Sequence, residues 1–281
     1  MRILKSVLVI LFCAVLAAYS FFTVRNMIHR DNKPPVISAD TDELTVSVNV
    51  TDEELLAGMV ATDDRDGDVT SSLVVVSQLD FIHKGVRKVN YAAVDSHNNV
   101  GTYTRTITYN DYVSPHFRST EPFRYDASNP NTFLSNLQVV DVLDASLLSD
   151  MRITYGESDG GRKMPVIAQV TNSAGDTSLL SFYYMADDRM DAAVPSVALD
   201  EYIIYTGINQ PVDIGAHVIG TYQNGSVNPF DEYSAYSMDN VTWDASGVDY
   251  STPGEYIVTM ILVNSEGERQ QDIELYVIVE E

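Results

Sequence analysis

The stretch Leu44-Thr45-Val46-Ser47-Val48-Asn49-Val50 alternates apolar and polar side chains without a slip. A period of two puts Leu44, Val46, Val48 and Val50 on one side of an extended chain and gives the other side to water, as a half-buried strand requires. The device returns in Thr102 to Tyr109, where threonines hold the even positions, and again near the C-terminus, where Ile273, Leu275, Val277 and Val279 fall on one side. Beyond residue 33 no long helical period appears. Thr51-Asp52-Glu53-Glu54 matches a capping box, enough for a single helical turn.

The pattern is also copied. Pro35, Pro115 and Pro195 are spaced by 80 residues each time, and late in each interval a turn sequence recurs: Asp95-Ser96-His97-Asn98-Asn99, Asn172-Ser173-Ala174-Gly175-Asp176, and Asn264-Ser265-Glu266-Gly267-Glu268. Each follows an apolar strand and precedes another, which is hairpin chemistry, with Asn, Asp and Gly supplying tight or left-handed backbone. Gly85 and Gly254 start the strands into the first and third turns. The second copy differs, because Pro165 interrupts the equivalent strand and predicts an edge position or a late start. Short strands with regular turn signals indicate an all-β chain of tandem immunoglobulin-like β-sandwiches. The expected organisation is 1–33 as a basic start, hydrophobic helix and linker, then sandwiches at 34–111, 112–191 and 192–281, joined by short linkers into a semi-rigid, monomeric rod.

The first 33 residues are a different material. Arg2 and Lys5 precede an apolar run from Val7 to Val24 broken only by Ser20 and Thr23. That length lies at the lower edge of a membrane span. A cleaved signal peptide is the alternative, since Ala18-Tyr19-Ser20 offers small residues at the two positions a signal peptidase reads. Phe21, Phe22 and Val24 continue the apolar run past that point and favour a retained anchor. Cys13, the sole cysteine, follows bulky Phe12, unlike a lipobox, and leaves the body without disulfides or a cysteine nucleophile. Arg2, Lys5, Arg25, Arg30 and Lys33 against the one acid Asp31 give this segment +4, so the chain's net charge of −23 leaves −27 on the rest. A body that acidic repels phosphate backbones and excludes nucleic acid as a partner.

The first copy resembles the bacterial immunoglobulin-like domains found in tandem on surface proteins, including the kind described in pesticidal crystal proteins. The residues that carry this are Pro34-Pro35-Val36-Ile37, Ala61-Thr62-Asp63-Asp64-Arg65-Asp66-Gly67-Asp68-Val69-Thr70, and Gly85 with its strand to Asp95-Ser96-His97-Asn98-Asn99. The third copy keeps Thr252-Pro253-Gly254-Glu255-Tyr256 but lacks the acidic motif, and the second is the most diverged. The resemblance implies a β-sandwich in an extracellular, bacterial setting and implies no reaction.

Two places could carry binding chemistry. The carboxylates of Asp63, Asp64, Asp66 and Asp68, with Asp95 from the later turn, are candidate hard-oxygen ligands for Ca²⁺, which takes six to eight. The competing account is an acidic turn whose side chains bond nearby backbone N–H groups. The second copy has only Asp141 and Asp144 in the comparable place and the third has nothing similar, which argues against a calcium site in every copy. Tyr222, Tyr233 and Tyr236 lie in or beside an Asn/Ser/Gly-rich stretch and are candidate ligand-binding aromatics, with core packing as the alternative. Trp243 is expected in the core. The five histidines show no metal spacing, and no nucleophile elbow, phosphate loop or zinc motif is present. The expected protein is therefore no enzyme but a membrane-tethered surface module for adhesion, binding or spacing, with a protein or glycan as partner. The alternatives are a carbohydrate-binding envelope protein using the third copy's aromatics, and a protein secreted after signal cleavage.

Overall fold

The computed structural model describes residues 2–29, 31–125, 136–157, 163–186 and 194–281. It divides into two compact units, Met1–Tyr112 and Val113–Glu281.

The first unit opens with α1 (Arg2–His29). Within it Lys5–Arg25 has a mean hydropathy of 2.6 and no buried residue, so its leucines, valines and phenylalanines face outward all round. Seven strands follow: β1 (Val36–Ala39), β2 (Glu43–Val46), β3 (Met59–Asp63), β4 (Gly67–Asp68), β5 (Val74–His83), β6 (Val86–Val94) and β7 (Val100–Tyr109). They form two sheets, ordered β1-β3-β4 and β2-β7-β6-β5, with β2 parallel to β7 and the other pairs antiparallel. The core holds Ile37, Ala61, Val89, Tyr91, Ile107 and their neighbours. Alternation does the sorting: Met59, Ala61 and Asp63 of β3 are buried while Val60 and Thr62 are exposed. The strand read from Leu44 to Val50 ends at Val46, yet Val48 and Val50 still pack on the core, so the period outlasts the ladder. The capping box forms: the Glu54 N–H donates to Thr51 Oγ1 at 3.3 Å and the Thr51 N–H to Glu54 Oε2 at 2.9 Å, starting α2 (Asp52–Leu55). At Gly101 a Cβ would stand 2.0 Å from the Pro35 carbonyl oxygen, so only glycine lets the chain entering β1 lie this close to β7.

The second unit contains β8 (His116–Ser119), β9 (Arg124–Tyr125), β10 (Leu137–Val140), β11 (Arg152–Tyr155), β12 (Lys163–Thr171) and β13 (Thr177–Ala186) from the second sequence copy. The third copy supplies β14 (Ser196–Leu199), β15 (Ile203–Gly207), β16 (Val218–Gln223), β17 (Ser226–Pro229), β18 (Val241–Asp244), β19 (Gly254–Leu262) and β20 (Ile273–Glu280). The sheets are β10-β8, β11-β12-β13-β9, β14-β16-β17 and β15-β20-β19-β18. Pro165 does not make β12 an edge strand: β12 lies between β11 and β13. The proline is tolerated because it sits one residue beyond the β11 pairing, which ends at Tyr155 opposite Val166, and there only its carbonyl is used, by the Gly156 N–H at 2.8 Å.

The two copies in this unit share one cluster of buried side chains, from Phe117 and Phe182 to Val258 and Val279. Phe123 meets Phe182 at 4.8 Å and Tyr276 at 5.1 Å between ring centroids. The Tyr202 N–H donates to the Ser119 carbonyl at 2.8 Å, and the Phe117 N–H to Tyr205 Oη at 2.8 Å. Hence β20 is buried on both faces from Ile273 to Val279, apart from half-buried Glu274, rather than on the one face its odd-numbered residues suggest.

Candidate functional site

The three recurrent turns are built alike. The first residue's N–H donates to the fifth residue's carbonyl, Asp95 to Asn99 at 3.2 Å, Asn172 to Asp176 at 2.9 Å and Asn264 to Glu268 at 2.9 Å. The first side chain's Oδ1 accepts the third and fifth N–H groups, at 2.8 and 2.8 Å in the first copy, 3.1 and 3.0 Å in the second, 3.0 and 2.8 Å in the third. The fourth residue is left-handed each time: Asn98, Gly175 and Gly267. Asp and Asn are interchangeable as builders of this turn because only a carbonyl-type oxygen is used.

Beside the first turn lies the β3–β4 loop. Asp63 Oδ1 accepts the N–H groups of Arg65 and Asp66, both at 2.9 Å. Asp66 reaches across to the Ser96 N–H at 2.8 Å and the Ser96 hydroxyl at 2.9 Å, locking loop to turn. The result brings Asp63 and Asp95 together with a third carboxylate, Asp31. One oxygen of each lies within 4.8 Å of the others, and all three residues are buried, at 8, 6 and 4% exposure. Asp31 is held by the Lys33 N–H on Oδ1 at 3.1 Å and by the Asn99 side-chain amide on its carbonyl at 3.3 Å. Asp31 Oδ2 and Asp63 Oδ2 are buried and accept no hydrogen bond. Backbone N–H donors of Asp66 and then Arg65 hold the Asp63 carboxyl below its ordinary value. Burial pushes Asp95 upward, but the Asn99 side chain and the Asn99 and His97 N–H groups outweigh it and hold this acid low as well. Hydrogen bonds to the charged form favour it, so both are carboxylates at neutral pH.

The other acids of the motif go elsewhere. Asp64 is exposed and pairs with Lys33 Nζ at 2.6 Å, and exposed Asp68 accepts the Thr70 N–H at 2.9 Å. Asp66, buried Asp95 and exposed His97 form a second group of converging ligand atoms, although both Asp66 oxygens already accept from Ser96. Asp31 was not a candidate ligand from sequence because it belongs to the entry segment. Its signal was its being the lone acid among five bases there.

The aromatic candidates separate. Tyr233 is 87% exposed on the loop between β17 and β18. Tyr236, three residues on, is half-buried and packs on the core, and Tyr222 is half-buried within β16. Trp243, expected inside, is 38% exposed on β18, its ring lying against Gly215, whose missing side chain leaves room for it.

Sheets, cores and leading helix define an all-β protein whose sheets pack over shared cores behind an N-terminal apolar helix. No family model matches the chain, and no curated protein does. Among solved structures it is similar to the CBM51-2 (in complex with GlcNAc) and INT domains of Clostridium perfringens ZmpB, at 21% identity over 53% of this chain and 26% of that one, with a TM-score of 0.22. It is also similar to the protocadherin gamma-B4 extracellular domain, at 14% identity over 88% and 50% with a TM-score of 0.20. The lipoprotein BT2262 of Bacteroides thetaiotaomicron matches at 12% identity over 85% and 98% with a TM-score of 0.19. The chain spans between a quarter and a half of the length of the first two of these structures.

Proposed function

We propose that this protein is a non-catalytic, membrane-tethered surface module in which α1 anchors the chain and the sandwiches bind or space a partner outside the cell. The observation that carries this is α1 itself: 28 residues with an apolar window from Lys5 to Arg25 in which no residue is buried, followed after a short segment by β1. A helix apolar all round, with no protein against it, is suited to lipid. The likeness of the first copy to bacterial surface immunoglobulin-like domains, pesticidal-crystal type included, supports the external setting. The test is fractionation of expressing cells with and without residues 1–33. The full chain is expected in the membrane fraction, with its body digested by protease added to intact cells. The truncated chain is expected to be soluble and monomeric. If expression of the full chain instead yields a soluble product that starts just after Ser20, the cleaved-signal alternative is established.

A second reading, glycan binding, is favoured by one observation. Tyr233 presents nearly its whole ring to solvent, and an exposed aromatic ring on a loop is suited to stacking on sugar. Retention on a glycan array that is lost in Tyr233→Ala at unchanged melting temperature supports it, and no retention on any glycan removes it.

A further inference from the structure

We propose that Asp31, Asp63 and Asp95 form a divalent-cation site of the hard-oxygen type that takes Ca²⁺, fastening the segment after α1 to the β3–β4 loop and the β6–β7 turn. Three buried carboxylates converge within 4.8 Å, and two of them aim an oxygen inward that accepts no hydrogen bond. Burying an ionised carboxylate without a partner is costly, and three close together repel one another. Among the described residues the cationic group that approaches is Arg65, whose Nε stands 3.8 Å from Asp31 Oδ2, beyond hydrogen-bond reach, on a half-exposed side chain. Lys33 is engaged by Asp64. Among the described residues one guanidinium faces three buried carboxylates, an excess of negative charge that suits a divalent ion.

The second sequence copy is an internal control. There Asp141 Oδ1 accepts the N–H groups of Leu143 and Asp144, both at 2.8 Å, as Asp63 does with Arg65 and Asp66. Asp144 Oδ2 accepts the Ser173 N–H at 2.6 Å, as Asp66 Oδ2 accepts that of Ser96 at 2.8 Å. The position of Asp95 is Asn172, and its amide donates to Asp141 Oδ2 at 3.2 Å. The same scaffold thus satisfies its inward oxygen with a neutral donor. In the first copy the donor is replaced by a second acid, and the third acid is added from outside the repeat. A neutral amide and a bound cation are two solutions to one problem, and only the second suits three carboxylates.

The proposal is independent of where the body resides and is tested on the full chain in detergent micelles, stripped with EDTA, by calorimetric titration with CaCl₂ and by thermal unfolding. One Ca²⁺ per chain is expected, with an affinity in the roughly 10⁻⁴–10⁻³ M range of extracellular modules or tighter, a rise in unfolding temperature reversed by EDTA, and weaker Mg²⁺ binding. Asp95→Asn keeps the turn, because Asn172 and Asn264 build the same one. It and Asp31→Asn, which lies outside every strand, are expected to weaken binding by about tenfold or more. His97→Ala is expected to leave it unchanged. Absence of calcium heat and of a thermal shift up to ~10 mM, or binding that survives in both Asp variants, overturns the proposal and leaves Arg65 as the counter-charge. Preferential Zn²⁺ binding lost in His97→Ala overturns it in favour of the Asp66/Asp95/His97 group.

Discussion

The phenolic oxygen of Tyr276 in β20 accepts the backbone N–H of Tyr183 in β13 at 3.0 Å and donates to Glu274 at 2.7 Å. One fully buried hydroxyl therefore bonds the second sequence copy to the third, while its ring packs edge-on against Phe123. Burial raises the Tyr276 hydroxyl well above the usual tyrosine value, with the Glu274 charge adding to it, so it stays protonated and keeps donating. Tyr276→Phe keeps the ring and leaves the Tyr183 N–H without this acceptor. The expected cost is about 1–3 kcal/mol, read as a lower urea midpoint at unchanged slope.

Gly101→Ala sets a methyl group against the Pro35 carbonyl, two backbone groups that cannot both stay in place. The expected destabilisation is about 1–3 kcal/mol, as for other overpacked sites. A variant as stable as the parent would show that the β1 entry segment shifts freely. Because Pro35 leads from Asp31, the same variant should also weaken the response to calcium.

Asp111 braces the end of β7 to the chain leaving β2, accepting the Ser47 hydroxyl at 2.7 Å and the Val48 N–H at 2.8 Å. These bonds, the Ser47 hydroxyl first, hold the Asp111 carboxyl below the ordinary aspartate range, making it the stronger acid. A carboxylate with a depressed folded value contributes stability that is fully present above its unfolded value of about 4. That stability is lost as pH falls through the folded value. Asp111→Asn should melt lower than the parent at pH 7, and the two curves should converge in acid. A gap that stays constant down to pH 2–3 would mean the bonds are indifferent to charge.

Tyr233→Ala removes a side chain with almost no packing. A stability change within about 0.5 kcal/mol is expected, so any loss of ligand retention in this variant reports contact and not folding. Tyr236→Ala, which opens the core, should lower the melting temperature, and cannot by itself distinguish the two.

Strands were legible wherever one face meets water. β3, β6 and β7 alternate in burial as their residues alternate in polarity, and the three turns close as their Asn, Asp and Gly positions require. Where burial comes from a second copy, alternation under-reports it. The even-numbered Tyr276 and Ile278 of β20 are covered by the fused core, and nothing local to β20 announces that. Trp243 errs the other way: its size suggested burial, but its place on β18 beside Gly215 leaves it partly exposed. The members of the acidic motif part in the structure, Asp63 meeting Asp95 while Asp64 and Asp68 turn to Lys33 and Thr70, and which acids converge was not legible from their order in the sequence.

By itself, then, the sequence determined an apolar N-terminal helix, the all-β class, and the copied turns, because each depends on periodicity or backbone preference within a few residues. The tertiary structure alone decided that the second and third copies share one core, and that Asp31 meets Asp63 and Asp95. Both are contacts between segments tens of residues apart, set by how sheets close over buried side chains, and no local pattern encodes which distant group will fill the remaining space.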